Sequence, residues 1–120
     1  MCRAESQRGE LGLTMAAMEC ELVGQCLVVR LAGELDLVAA ARFKETVEEI
    51  LDRRPVRHLY VNLAGATFVD SAFLGSLLGR YRRISREGGR MGIIGVPPQV
   101  RPALELSGIF RTMDEFRSER

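Results

Sequence analysis

The sequence predicts a single α/β domain with a mixed sheet of about five strands, an N-terminal hairpin, and helices packed on the sheet. A glycine-centred reversal near the start predicts the hairpin, and the alternation of short apolar runs with helical patterns predicts the rest. The 120 residues, 47% of them hydrophobic, suffice for one core. We therefore expect the domain over residues 15–120 and a mobile tail over residues 1–14.

Two stretches with strand character open the domain, Met15–Leu22 and Cys26–Leu31. Gly24 lies between them and permits a tight reversal, so we predict a β-hairpin. The second stretch is almost continuously apolar, as in a strand covered on both faces. Cys20 and Cys26 could face each other across this hairpin, but we expect them to be small buried thiols.

A helix pattern follows the hairpin. Residues Ala32–Asp36 are predicted to form a loop that ends in an N-cap, and the apolar positions that follow predict a helix over Leu37–Arg53. Pro55 agrees with an end of this helix at Arg53, because the residue before a proline disfavours the helical conformation.

The stretch Thr67–Tyr81 organises the rest of the chain, since an apolar run stops at Asp70 and a helix pattern begins at once. We predict a strand over Arg57–Leu63 and a helix from Ser71 to about Arg86. Ser71 then lies in the first helical turn, just beyond the carboxyl end of a central strand. Unpaired N–H groups and the helix dipole would favour a phosphate there, although the local pattern alone favours simple capping by Asp70.

Three shorter elements complete the predicted fold: a strand over Met91–Val96, a helix, and a last strand over Ile109–Met113. We expect the helix to begin near Gln99, because proline at position 102 is tolerated only in a first helical turn.

Composition excludes several classes of function. With 17 basic and 16 acidic residues the net charge is +1, so no global field favours nucleic acid or an anionic membrane. Three cysteines without CxxC spacing and a single histidine, His58, indicate neither a disulfide framework nor a metal site. No apolar run approaches the ~18 residues of a membrane span, and the first residues contain no apolar core of signal-peptide length, so we expect no secretion. We expect a cytoplasmic protein without a cofactor and without direct membrane insertion.

Four motifs in matching order carry a resemblance over roughly Met15–Phe116. They are GELD at Gly33–Asp36, RHLYVNL at Arg57–Leu63, FVDSAFLGSLLGRYRRI at Phe68–Ile84, and VPPQVRPALELSGIF at Val96–Phe110. Together they resemble the STAS-domain family of bacterial anti-sigma factor antagonists, especially the sporulation type. The resemblance implies a STAS-like fold.

It also implies a switch and no enzymatic activity. In this family the dephosphorylated form binds an anti-sigma factor that is also an ATP-dependent serine kinase, which frees the sigma factor. Phosphorylation of the serine after the motif aspartate stops binding, and a metal-dependent serine phosphatase restores it. The acceptor carries over to Ser71, and Asp70 would position its hydroxyl. A phosphoserine adds about −1.5 to −2 charge, which opposes docking by desolvation and repulsion.

The partner contacts that we expect from this resemblance lie around the acceptor: Gly33, Glu34, Asp36, Asp70, Ala72, Phe73 and Gly75. Asp36 could instead be a plain helix cap. The family usually has DSSGLG where this chain has Asp70-Ser71-Ala72-Phe73-Leu74-Gly75, so Phe73 could be an exposed anchor or could hinder a kinase. Gly75 and Gly79 lie one turn apart, and we expect core packing there in preference to a partner contact. The protein is expected to be a monomer or a weak dimer.

Two alternatives remain from the sequence. The domain could be a scaffold in a stress-signalling complex or the cytoplasmic partner of a membrane transporter. An enzyme with Ser71 as nucleophile is disfavoured, because GxSxG is absent and His58 begins a strand whose other end leads to Ser71.

Overall fold

The computed structural model describes residues 16–119 and the backbone of residues 5–10. Among these residues one sheet contains six strands: β1 (Glu5–Glu10), β2 (Ala17–Val23), β3 (Cys26–Leu35), β4 (His58–Val69), β5 (Arg90–Ile94) and β6 (Asp114–Phe116). The helices are α1 (Leu37–Arg53), α2 (Ser71–Arg86), α3 (Arg101–Ser107) and α4 (Ile109–Thr112). Both long helices have the bounds that their apolar patterns predict.

The sheet is mixed, as predicted. Strands β1, β2 and β3 are antiparallel neighbours, whereas β3, β4, β5 and β6 are parallel neighbours in that order. Gly24, at φ 62°, makes the reversal of the predicted hairpin. The sixth strand arises because Glu5–Glu10, within the expected tail, pair with β2. The remaining residues of that expected tail lie outside the described residues, so its mobility stays a prediction.

The predicted loop at Ala32–Asp36 is wrong. Strand β3 continues to Leu35, because Glu34 and Leu35 pair with Phe68 and Val69 of β4 after a register shift that follows Gly33. Gly33 has φ 90°, which a side chain would strain, and the chain leaves the sheet only at Asp36. The long pairing brings the ends of β3 and β4 to the same edge of the sheet.

The predicted last strand over Ile109–Met113 is also wrong. Gly108 adopts φ 79° at the end of α3, and the chain then forms the short helix α4 before strand β6 begins. Ile109 and Met113 are both buried and lie four residues apart. One helical turn brings residues at this spacing to the same face. Helix α3 begins at Arg101 with Pro102 in its first turn, as proline requires.

The core lies between the sheet and helices α1 and α2, which pack side by side on one face. Cys20 is buried there opposite Val29, and burial raises the pKa of its thiol to about 11. Cys26 pairs with Val23 and is only half-buried, so the two thiols do not face each other. In the described part of the chain, no helix is both long and apolar enough for a membrane span.

Candidate functional site

Ser71 lies where strand β4 becomes helix α2, and its side chain is exposed. Asp70 has an extended backbone, and its Oδ1 accepts a hydrogen bond from the N–H of Phe73 at 3.0 Å. The N–H of Asp70 donates to the carbonyl of Leu35 at 3.2 Å. Asp70 therefore caps α2 and also ties its start to the end of β3.

Helix α1 begins in the same way at the same edge. The Oδ1 of Asp36 accepts a hydrogen bond from the N–H of Ala39 at 3.1 Å, so Asp36 is a helix cap. Leu35 and Val69, the last residues of β3 and β4, are register partners and both are buried. The N-termini of α1 and α2 consequently open side by side beyond two neighbouring strands, where their partial positive charges favour an anion.

Exposed apolar side chains collect at this edge. Six large hydrophobic residues of the described chain are exposed, and three of them are Leu37 at 68%, Val38 at 53% and Phe68 at 49%. Leu37 and Val38 directly follow the Asp36 cap, while Phe68 lies opposite Glu34. Exposed apolar patches are typical of protein interaction sites. These three residues were not predicted as partner contacts; the available signal was that Leu37 and Val38 are apolar but lie off the buried face of α1.

The side chain of Phe73 is not part of this exposed surface. It is therefore neither an exposed anchor for a partner nor an exposed obstacle to a kinase. Its side chain is fully buried, and its ring centroid lies 5.4 Å from that of Phe43 with an interplanar angle of 49°. The third position of α2 points towards α1, so the apolar ring fills the space between the two helices. Ala72 is half-buried against the same core.

Gly75 and Gly79 form an open strip on α2. A Cβ atom built on either residue would meet no neighbouring atom within 4 Å. The expected core packing of these glycines is therefore wrong, because no described element approaches them. Gly75 is exposed and remains accessible on the helix that begins at Ser71.

The basic side of α2 is partly occupied by helix α1. The Nε atom of Arg80 lies 2.7 Å from Oε2 of Glu48, and Nη1 of Arg83 lies 2.6 Å from Oε1 of the same carboxylate. The Oγ of Ser76 also donates a hydrogen bond to the carbonyl of Ala40 at 3.2 Å. These contacts fix the two helices relative to each other and keep Arg80 buried and Arg83 half-buried.

His58, the single histidine, lies far from Ser71 along strand β4. His58 begins β4 and Ser71 follows its end, so a strand of 12 residues at about 3.3 Å each separates them. The part of the chain that the structure describes has no group of three or more His, Cys, Asp or Glu residues suited to a metal ion.

Comparison with known proteins agrees with the fold and with the motifs. The family model of the STAS domain matches residues 17–120. The chain belongs to the STAS domain family. Within this STAS domain, the exposed Ser71 and the paired helix N-termini occupy the carboxyl edge of the parallel strands.

Several known proteins are similar to the chain. The anti-sigma F factor antagonist of Paenibacillus polymyxa is 38% identical over 93 residues, which are 78% of this chain and 80% of that protein. The anti-sigma factor antagonist SpoIIAA in its unphosphorylated form has a TM-score of 0.73 at 24% identity, covering 96% of this chain and 90% of that one. The phosphorylated form of the Bacillus cell fate determinant SpoIIAA has a TM-score of 0.66 at 23% identity, with 96% and 93% covered. The two structural similarities support the fold of this STAS domain.

Proposed function

We propose that this STAS domain is an anti-sigma factor antagonist whose binding is switched off by phosphorylation of Ser71. The observation that carries the proposal is the exposed Ser71 hydroxyl in the first turn of α2, beside the N-terminus of α1. The similarity to the antagonist of Paenibacillus polymyxa supports the same function. In this proposal the domain has no catalytic activity of its own, and it acts in the cytoplasm.

The proposed partner is an anti-sigma factor with serine kinase activity. Bound to the dephosphorylated domain, this partner would release its sigma factor, and a serine phosphatase would restore the domain after phosphorylation. The proposed docking surface contains Leu37, Val38 and Phe68 as apolar anchors. The polar and small residues around them are Gly33, Glu34, Asp36, Asp70, Ala72 and Gly75. Phe73 contributes indirectly, by holding α2 against α1.

The physics of phosphorylation suits this site. A phosphate on Ser71 would lie at a helix N-terminus, where N–H groups and the dipole stabilise negative charge, so the fold should survive. The same dianion would lie in a surface that contains Glu34 and Asp70, and it would have to lose water on docking. Phosphorylation should therefore weaken binding without unfolding the domain.

The experiment is phosphorylation in vitro with a candidate anti-sigma kinase and ATP, followed by intact-mass measurement and a binding titration. We expect one phosphate on the wild type and on Ser85→Ala, a matched control on the exposed side of the same helix. We expect none on Ser71→Ala, and much weaker partner binding by Ser71→Glu than by the wild type. Normal phosphorylation of Ser71→Ala, or unchanged binding by Ser71→Glu, would contradict the proposal.

A further inference from the structure

The face of the sheet opposite α1 and α2 is crossed by the last residues of the described chain. Strand β6 pairs with β5, and the chain then continues across the sheet until Glu119 reaches β3 and β4. Arg30 of β3 donates from Nε and Nη2 to the Glu119 carboxylate, both at 2.8 Å. Asn62 of β4 donates from Nδ2 to the same carboxylate at 2.7 Å. Residues 114–119, hereafter the strap, thus span three strands.

An aromatic contact holds the middle of the strap. The ring of Phe116 meets that of Tyr60 edge to face, with 5.7 Å between the ring centroids. A Cβ atom at Gly92 would lie 2.8 Å from the Phe116 ring, so this glycine leaves the space that the ring occupies. The carbonyl of Phe116 accepts a hydrogen bond from the N–H of Gly95 at 2.8 Å. Beneath the strap, Ile94 is only 4% exposed.

The strap itself is weakly embedded. All of its residues are exposed, and its strand β6 has only three residues. A recess of about 250 Å³ remains against the sheet, lined by Tyr60, Ile94, Phe116, Ser118 and Glu119. A gap of this kind forfeits dispersion contacts between strap and sheet. Ionic contacts carry part of the remaining attachment: Glu119 pairs with Arg30, Glu115 with Arg101, and Asp114 with Arg90. At least about one third of every one of these side chains is exposed, so salt can screen the pairs.

We infer that the strap is a separable lid, latched by Glu119 on Arg30 and Asn62, whose release uncovers Tyr60 and Ile94 while the rest of the domain stays folded. The arginine remains paired after release, because Nη2 of Arg30 lies 2.8 Å from Oε1 of Glu21 and Nη1 lies 3.8 Å from Oε1 of Glu19. Opening of the strap therefore leaves Arg30 paired, which keeps the free energy of opening low. The lid lies on the face opposite the helices and is independent of the proposed function at Ser71.

Glu119→Gln tests the latch, with Glu49→Gln as the matched control. Glu49 forms an ion pair with Arg53 on α1, at 3.3 Å; this pair is more exposed than the Glu119 pair and does not involve the strap. We expect the Gly95 amide to exchange its hydrogen about fivefold faster in Glu119→Gln than in the control, as loss of an exposed ion pair predicts. Trypsin cleavage after Arg117 should accelerate in parallel. Amides in the centre of β4 report global unfolding and should not change. In the wild type, salt at about 1 M should reproduce the effect.

Two results would overturn the inference. Equal Gly95 exchange and equal Arg117 cleavage in Glu119→Gln and Glu49→Gln would show that Glu119 does not hold the strap. Equal acceleration of the Gly95 and β4 amides would show that the strap opens only when the whole domain unfolds.

Discussion

The ring of Phe73 packs on the ring of Phe43, with 5.4 Å between their centroids, and this contact ties the first turn of α2 to the middle of α1. Phe73 lies two residues after Ser71, and its N–H is the group that Asp70 caps. Packing and capping therefore act on the same turn, which fixes the position of the exposed Ser71 hydroxyl.

Phe73→Ala should destabilise the domain strongly. Removal of a fully buried aromatic ring costs about 3 to 5 kcal/mol of unfolding free energy, because the cavity between α1 and α2 cannot close completely. Phe68→Ala is the matched control, since that ring is 49% exposed and should cost less than about 1 kcal/mol. Urea denaturation measures both values. Equal losses in the two variants would contradict the assigned packing of Phe73.

Phe68→Ala should instead weaken partner binding. If the Ser71 edge is the docking surface, we expect a loss of about tenfold or more in affinity, because apolar anchors near the centre of an interface contribute most to binding. Leu37→Ala should act in the same direction. Leu106→Ala is the control, because Leu106 is 90% exposed on α3 and is not among the residues of the proposed docking surface. Isothermal titration with the anti-sigma factor measures the change, and equal effects at positions 68 and 106 would exclude a specific role for Phe68.

Asp70→Ala should lower the unfolding free energy by about 1 kcal/mol, because the N–H of Phe73 loses its cap. Asp70→Asn should retain most of the stability, since asparagine is an equally good N-cap residue. Thermal unfolding distinguishes the variants. An equal loss in both would show that the negative charge, and not the hydrogen bond, stabilises this helix end.

The buried thiol of Cys20 should make the domain less stable at alkaline pH. Burial raises the pKa of its thiol from 9.0 to about 11, so between these values the unfolded chain loses a proton that the folded domain keeps. Below pH 9 the thiol is protonated in both the folded and the unfolded state, so its contribution to stability is fully present. The free energy of unfolding should then decline by about 2 to 3 kcal/mol as the pH rises from 9 to 11. Denaturation of wild type and Cys20→Ala at several pH values isolates this contribution. An identical pH dependence in both would contradict it.

The two long helices could be predicted because their signals are local. Asp36 and Asp70 are caps, and the apolar face of each helix repeats at helical spacing through Leu37–Arg53 and Ser71–Arg86. The extension of β3 over Ala32–Leu35 could not be predicted in this way, because it depends on pairing with residues more than thirty positions later in β4.

The neighbours of the side chains at the site could not be predicted from a local sequence pattern either. Phe73 stands where the family usually has glycine, and only the packed neighbour Phe43 determines that its ring points inwards. Gly75 and Gly79 could have faced the core or solvent, and the absence of any element near them within the described chain decides between the two. The role of Ser71 rests on motif order and on its exposed position at the sheet edge, and it stays a prediction.

The strand order of the sheet, β1 to β6, is also the order of the strands along the chain. Each strand from β2 onward therefore pairs with the strand that precedes it along the chain. Growth from the ribosome could add β3, α1, β4 and α2 as successive layers on a partly formed sheet. Short sequence separation between pairing strands lowers the entropic cost of each addition. This topology should let the domain assemble progressively during translation.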